Sequence, residues 1–381
     1  MCITSCSLFQ SEFDKRVNHA LDYSVMQLKK SAAAIENPLQ FARSGNPDGT
    51  WRTTDMYGWT SGHFPGCLWY AWEYSKDPSL KAAAIKWTEA LEPVKDYTGN
   101  HDVGFMIYCS YGNGYRLTHN ESYVPVIVKA AESLSTRYTR PVGLIQSWNS
   151  NDRWKYPVII DNMMNLELIF FAAKHGGFSE LYLIAEEHAL NTMKNHVRED
   201  GSTFHVVDYD PETGAVRAKN TAQGYADDST WSRGQAWGLY GFTMTYRETK
   251  NPVFLRTAQK LADFYIEHLP EDYVPYWDFF APNIPNEKRD TSAGAIAASG
   301  LLELSTLVSD KAVSKKYYRT ALNILNSLCS PEYLTEGTNS PGILQHAVGS
   351  IPHNVEVDVS LIYGDYYFLE ALLRYKRGIK N

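Results

Sequence analysis

The sequence predicts an all-α fold, an (α/α)6 barrel of six helical hairpins with a short β-hairpin insertion. Three observations predict it. Apolar residues recur at helical spacing in about twelve stretches, with Gly/Pro/Asn/Asp-rich connectors between them. The helices are of two kinds that tend to alternate, one amphipathic and one apolar or small all round. The all-apolar kind also recurs at a roughly regular interval, as the inner ring of a closed double ring requires.

The helical stretches run approximately over 14–34, 61–75, 78–97, 101–112, 119–136 and 161–176, then 179–197, 231–248, 252–268, 291–307, 310–327 and 358–377. Those at 14–34, 78–97, 179–197, 252–268 and 310–327 set an apolar stripe against a Lys/Glu face, which marks surface helices. Others, such as Ala293-Gly-Ala-Ile-Ala-Ala-Ser-Gly-Leu-Leu-Glu303, have no polar face and are expected to be buried. Buried helices start near 61, 102, 161, 231, 290 and 358, at intervals of 41 to 70 residues. A hairpin is expected at about 203–219, where Phe204-His205-Val206-Val207-Asp208-Tyr209 meets the turn Asp210-Pro-Glu-Thr-Gly214. No strand–helix alternation and no Gly-rich turn after a strand is present, which argues against a nucleotide-binding α/β fold. Residues 1–13 are read as an N-terminal tail and 14–381 as a single catalytic domain.

Composition narrows the function. A formal charge of −7 with no block of like charge argues against a nucleic-acid partner. No apolar run reaches the ~18 residues of a membrane span. The five cysteines, at 2, 6, 67, 109 and 329, form neither a disulfide framework nor a zinc pattern, so no metal and no cofactor is expected. Ile3-Thr4-Ser5-Cys6 resembles the end of a bacterial lipoprotein cleavage site. As it stands the chain reads as cytoplasmic, and as periplasmic if a lipoprotein signal has been truncated. The aromatic content, 10 Trp, 26 Tyr and 15 Phe, suits a cleft that stacks flat rings such as sugars. Nothing in the sequence fixes an oligomeric state.

Polar residues gather at the starts of the buried helices: His101-Asp102, Asp161-Asn162, Asp227-Asp228-Ser229-Thr230, Asp290 and Asp358. Any one of them has an ordinary role as a helix cap. In a closed barrel, however, all inner helices start at the same end, so these aspartates are expected to converge on one funnel. Trp59, Trp148, Trp231, Trp237 and Trp277 are expected to line it.

Asp228-Ser-Thr-Trp-Ser-Arg-Gly-Gln-Ala-Trp-Gly-Leu-Tyr-Gly241 resembles the central signature of glycoside hydrolase family 88, the unsaturated glucuronyl hydrolases. Trp59-Thr-Ser-Gly-His-Phe-Pro-Gly66, His101-Asp-Val-Gly-Phe105, Ile160-Asp-Asn-Met-Met-Asn-Leu166, Asp290-Thr-Ser-Ala-Gly-Ala295 and Tyr363-Gly-Asp-Tyr-Tyr-Phe-Leu-Glu-Ala371 match in the same order. The resemblance implies an (α/α)6 barrel. It also implies release of a 4,5-unsaturated uronic acid from lyase-generated oligosaccharides by hydration of the C4=C5 vinyl ether. The implied partner is an oligosaccharide carrying an unsaturated uronic acid.

By the same resemblance Asp161 is the general acid and base, and Asp102 is the second essential aspartate, engaging ring hydroxyls. The apolar neighbours of Asp161, Pro157-Val-Ile-Ile before it and Met163-Met164 after it, disfavour its charged form. Trp59, Trp148 and Trp237 match stacking or wall positions, and His101, His205, Gln223 and Arg233 match polar contacts to sugar, with His205 at the rim. His19, His175, His188, His196 and His268 are read as surface residues of outer helices. Some family members recognise sulfate through Ser and Lys before the last inner helix. Here that stretch, 346–357, holds Ser350 but no Lys. Two other readings compete: an unsaturated rhamnogalacturonyl hydrolase on the same barrel, and a catalytically silent sugar-binding barrel.

Overall fold

Several outer helices begin where a short polar side chain caps the first turn. Asp77 accepts from the Ser79 N–H, Asn251 from Val253, and Asp310 from Ala312 and Val313. Pro78 and Pro252 follow two of these caps, where a missing N–H costs nothing. The computed structural model describes residues 2–378, with side chains from residue 12 onward. The Cys2 and Cys6 side chains and residues 1 and 379–381 lie outside the described residues.

The chain opens with α1 (Cys2–Ala34), which starts earlier than the periodicity over 14–34 indicates. The hairpin β1 (Phe41–Gly45) and β2 (Trp51–Thr54) leads into α2 (His63–Ser75) and α3 (Pro78–Glu89). Next come α4 (Val103–Ile107), a π-helical turn at Tyr108–Gly112, α5 (Asn113–Thr118) and α6 (Val124–Ser135). Strands β3 (Tyr138–Thr139), β4 (Leu144–Ile145) and β5 (Pro157–Ile159) precede a 3-10 turn, Ile160–Asn165, that runs into α7 (Leu166–Lys174). Helix α8 (Glu180–His196) and strands β6 (Val206–Tyr209) and β7 (Val216–Asn220) follow. Then come α9 (Ser232–Thr249), α10 (Pro252–Glu267), α11 (Thr291–Leu307) and α12 (Lys311–Leu328). Strands β8 (Ala347–Ser350) and β9 (Val355–Val359) lead to α13 (Ile362–Arg377).

The inner elements are α2, α4–α5, α7 with its 3-10 turn, α9, α11 and α13; the outer helices are α1, α3, α6, α8, α10 and α12. Helices α9, α11 and α13 are buried on nearly every side, whereas α10 and α12 bury one stripe. Helix α13 packs against α2, which closes the ring as the double-ring reading requires. Two inner contacts depend on glycine. A Cβ on Gly104 would lie 2.5 Å from Asn165 Oδ1, and one on Gly241 would lie 2.5 Å from the Met163 Cβ. Both glycines let a helix press against the 3-10 turn that holds Asp161.

The hairpin expected at 203–219 is β6–β7, and β5 joins it as a third antiparallel strand. Three further hairpins, β1–β2, β3–β4 and β8–β9, are not foreseen by the periodicity. One of them corrects the sequence reading of Asp358. That residue lies on β9 with φ of 60°, and the last inner helix starts at Ile362. Asp358 is held by Lys288 at 2.7 Å and His346 at 2.6 Å, so its charge serves the hairpin and not a helix start. His188 and His196 are also corrected, because both are fully buried. His188 Nδ1 accepts the Ile145 N–H and His196 Nε2 donates to the Val158 carbonyl, which ties α8 to β4 and β5.

Candidate active site

The N-terminal ends of the inner elements surround a cavity of about 150 Å3 lined by Trp59, His101, Asp102, Phe105, Trp148, Ile159, Asp161, Gln223 and Arg233. Of the residues that the family resemblance assigns to the site, all but His205 and Trp237 are on that wall, and of the other tryptophans expected in the funnel lining, Trp231 and Trp277 are not. Phe105 and Ile159 are additions. A larger groove of about 600 Å3 lies on the outside of the ring against α1 and the 336–341 loop, away from both aspartates.

Two local devices deliver the aspartates. The 3-10 turn carrying Asp161 follows β5, and the Ile160 N–H donates to the His205 carbonyl at 3.1 Å, which continues the β5–β6 ladder. Asn162 Nδ2 donates to the Ile145 carbonyl and secures the next residue. Asp102 begins α4, whose Phe105 N–H donates to Asn165 Oδ1 at 2.9 Å, fastening that helix to the same 3-10 turn. Neither Asp102 nor Asp161 caps a helix through its side chain, whereas Asp290 does. Capping therefore accounts for Asp290 and leaves the other two carboxyls available.

Burial dominates their electrostatics. It pushes Asp161 up to about 7, against the opposing pull of Arg233 and the Trp237 side chain. It pushes Asp102 up to about 8, with the neighbouring Asp161 charge adding to the rise. Two buried carboxyls this close do not both ionise readily. His101, whose Nε2 is 3.3 Å from Asp102 Oδ1, is lowered to about 3 by burial and so is neutral. Around neutral pH the site thus keeps a proton on the aspartate pair.

Among the described residues Arg233 is the only guanidinium on the cavity wall, and it is 1% exposed. It pairs with Asp290 at 3.0 Å and donates to the Val348 and Gly349 carbonyls of β8. Its Cζ lies 4.4 Å from the centre of the Trp231 ring, and its Nε has no hydrogen-bond partner among the described residues. Gln223 Nε2 donates to the same Gly349 carbonyl at 3.2 Å. Trp59 packs on Tyr363 at 4.7 Å, and the half-buried Trp148 packs on Trp154 at 5.5 Å. Both indoles line the cavity.

Trp237 is placed differently from its expected wall position. It is fully buried below the cavity, 5.2 Å from both Phe105 and Tyr367, because the second turn of α9 points into the core. Trp231 and Trp277, expected in the funnel lining, are 3% exposed and also serve the packing. His205 is 4% exposed and off the rim, with Nε2 3.7 Å from Asp161 Oδ2. Among the described residues no cluster of His, Cys, Asp and Glu is arranged to hold a metal ion, and no helix is long and apolar enough to cross a membrane.

The chain is similar to known proteins along most of its length. The chain is 48% identical over 321 residues to an unsaturated glucuronyl hydrolase of Formosa agariphila, covering 83% of this chain and 79% of that one. It is 34% identical to an unsaturated chondroitin disaccharide hydrolase of Streptococcus pyogenes serotype M1, covering 94% and 91%. The crystal structure of an unsaturated glucuronyl hydrolase specific for heparin superimposes with a TM-score of 0.92 at 44% identity, covering 96% and 98% of the two chains. The model of Glycosyl Hydrolase Family 88 matches residues 35–376. The protein is a glycoside hydrolase, and the chain belongs to glycosyl hydrolase family 88.

Proposed function

We propose that this enzyme releases 4,5-unsaturated glucuronic acid from the non-reducing end of lyase-generated oligosaccharides, with Asp161 as general acid and base. The observation that carries this reading is a buried, proton-retaining aspartate pair on the wall of a cavity sized for a terminal ring. At about 150 Å3 the space is well below the ~300–1,000 Å3 typical of sites for larger ligands. The relatives named for glucuronyl, chondroitin disaccharide and heparin substrates support a glycosaminoglycan-type source.

The chemistry follows from the proton. Asp161 gives its proton to C4 of the vinyl ether, so the O–H bond breaks as the C4–H bond forms. Positive charge develops at C5 and the ring oxygen. Water adds at C5 and returns a proton to Asp161. The hemiketal then opens to a C5 ketone, and the anomeric hemiacetal expels the remaining sugar as an alcohol. A carboxyl held near neutrality serves both transfers. Asp102, kept protonated or sharing a proton with Asp161, is placed to hydrogen-bond ring hydroxyls. Trp59 and Trp148 flank the ring, and Arg233 supplies fixed positive charge beside it.

The test follows loss of alkene absorbance on unsaturated disaccharides. Asp161→Asn is expected to lower turnover by about 10²–10⁴-fold while the protein stays folded. Reaction in deuterated water is expected to place deuterium at C4, and the saturated disaccharide is expected to resist cleavage. A folded Asn variant of wild-type rate, or cleavage of the saturated analogue, overturns the proposal.

A further inference from the structure

The imidazole of His205 has its two nitrogens committed in opposite directions. Nδ1 receives the backbone N–H groups of Ala222 at 3.1 Å and Gln223 at 3.3 Å. Two donors converging on one nitrogen make it an acceptor, so in the neutral ring the proton is on Nε2. Neutrality is enforced by burial and by the positive field of Arg233, which hold His205 well below its ordinary range; His196, His101 and Arg153 act in the same direction. The rings of Trp231 at 4.6 Å and Trp148 at 6.1 Å enclose the imidazole, and Nε2 has no hydrogen-bond partner among the described residues.

The atom facing that N–H is Asp161 Oδ2, 3.7 Å away, which is likewise buried and without a hydrogen-bond partner among the described residues. The remaining exposure of the Asp161 side chain, 12%, therefore belongs to the part that meets the cavity. We propose that His205 is a positioning residue for Asp161: its Nε2–H reserves Oδ2 as an acceptor and leaves the transferable proton on Oδ1, towards the substrate. The proposal rests on the acid–base reading of Asp161 and differs from the expected role of His205 as a sugar contact at the rim. The separation exceeds a hydrogen bond, but catalytic contacts commonly tighten once substrate is bound. Gln223 connects the two places, since its N–H donates to His205 Nδ1 while its side chain lines the cavity.

The step balances without redox chemistry. As the Oδ1–H bond breaks and C4–H forms, negative charge spreads onto Oδ2 and is met by Nε2–H. His205 keeps its proton throughout. Oδ1 is reprotonated by the water that adds at C5.

Two variants separate the functions of the two nitrogens. His205→Asn keeps an acceptor near the position of Nδ1 for the loop N–H groups and removes the Nε2 donor. His205→Gln restores an N–H close to the position of Nε2. For His205→Asn, kcat is expected to fall about 10-fold or more, the effect of one lost hydrogen bond to a charged group, with KM changed less than about twofold. The alkaline limb of its pH–rate profile should move to higher pH, because the Asp161 carboxylate has lost a stabilising donor. His205→Gln is expected to recover most of kcat and return the limb. Wild-type kcat in a folded His205→Asn, a loss confined to KM, or a Gln variant as slow as Asn would each overturn the proposal. If His205→Asn does not fold, His205→Gln decides alone: near-wild-type kcat and limb support the proposal, and a loss above about 10-fold overturns it. Asp161→Asn is measured alongside. An active Asp161→Asn refutes the acid–base reading itself, whereas an inactive one with an unaffected His205→Asn refutes only the positioning role.

Discussion

The barrel buries carboxylates at both ends and treats them in opposite ways. At the mouth, Asp102 and Asp161 are pushed up by burial, and Asp161 Oδ2, His205 Nε2 and Arg233 Nε have no hydrogen-bond partner among the described residues. At the far end, the inner helices are joined by ion pairs that pass from one to the next. Glu167 of α7 meets Arg247 of α9, which meets Glu303 of α11 at 2.7 Å; Glu303 meets Arg374 of α13 at 3.0 Å. Arg377 of α13 meets Glu73 of α2, and Glu73 meets Arg116 of α5 at 2.7 Å. Two guanidinium groups hold Glu303 down to about 2 despite its burial. Burial alone therefore does not set the chemistry of a carboxylate in this fold: Glu303, between two guanidinium groups, is held down, whereas Glu167, with Arg247 as a partner but Glu248, Glu303 and Glu370 nearby, is still raised by burial. The far end spends its charges on closing the ring, and the mouth leaves its protons available for transfer.

The largest expected effect marks where the mouth ends and the core begins. Trp237→Ala should cost about 3–5 kcal/mol of stability, as removal of a fully buried indole does. Trp148→Ala removes a half-buried wall residue, so it should raise KM while the melting temperature moves little. Calorimetry and initial rates on both variants check this pair. A stable Trp237→Ala with a raised KM would move that indole back onto the substrate.

The helices of this comparison are legible in the sequence, because 3.6-residue periodicity and Asp/Asn caps are local signals. The convergence of Asp102 and Asp161 is legible too, through the rule that inner helices start at one end and through the family motifs. The hairpins β1–β2, β3–β4 and β8–β9 are not. Glu356 and Asp358 on β9 adopt φ of 55° and 60°, a backbone state that no propensity assigns to Glu or Asp in a strand. Each is held there by partners distant in sequence: Glu356 by Arg43 at 2.6 Å, Asp358 by Lys288 and His346. His188 and His196 fit the outer-helix pattern, and only the strands beside α8 reveal why imidazoles are buried there. The pairing of Arg233 with Asp290 and β8 is likewise tertiary and invisible to spacing.

At the far end, Glu303→Gln keeps the shape and removes the charge shared by Arg247 and Arg374. Breaking a buried pair typically costs about 3–5 kcal/mol, and the 28% exposure of the Arg247 side chain brings the expectation down to about 2–3 kcal/mol. Activity per folded molecule should be unchanged, since the site lies at the other end of the barrel. Denaturant unfolding and kcat measured on the same preparation check it. A folded Glu303→Gln with reduced kcat would show that the two ends are coupled.

A pH series sharpens the contrast most, because the two ends should respond to pH with opposite sign. Glu303 is held at about 2, below its ordinary 4.5, so the folded state binds fewer protons than the unfolded chain between those values. Its stabilisation is present above about 4.5 and is lost as pH falls towards 2. Asp161 is raised to about 7 from 3.8, so the folded state binds more protons across that window. Its contribution is fully present below about 3.8 and is lost as pH rises towards 7. The advantage of wild type over Glu303→Gln should therefore shrink on acidification. Asp161→Asn should gain on wild type as pH rises from about 4 to 7 and run parallel to it above that. Removing Asp161 also relieves Asp102, whose rise owes part of its size to that neighbour, and this acts in the same direction. Melting temperatures of the three proteins across the range test the signs together. An Asp161→Asn curve that tracks wild type throughout would mean that Asp161 titrates as an ordinary carboxylate, and the proton assigned to C4 would then have to come from another group.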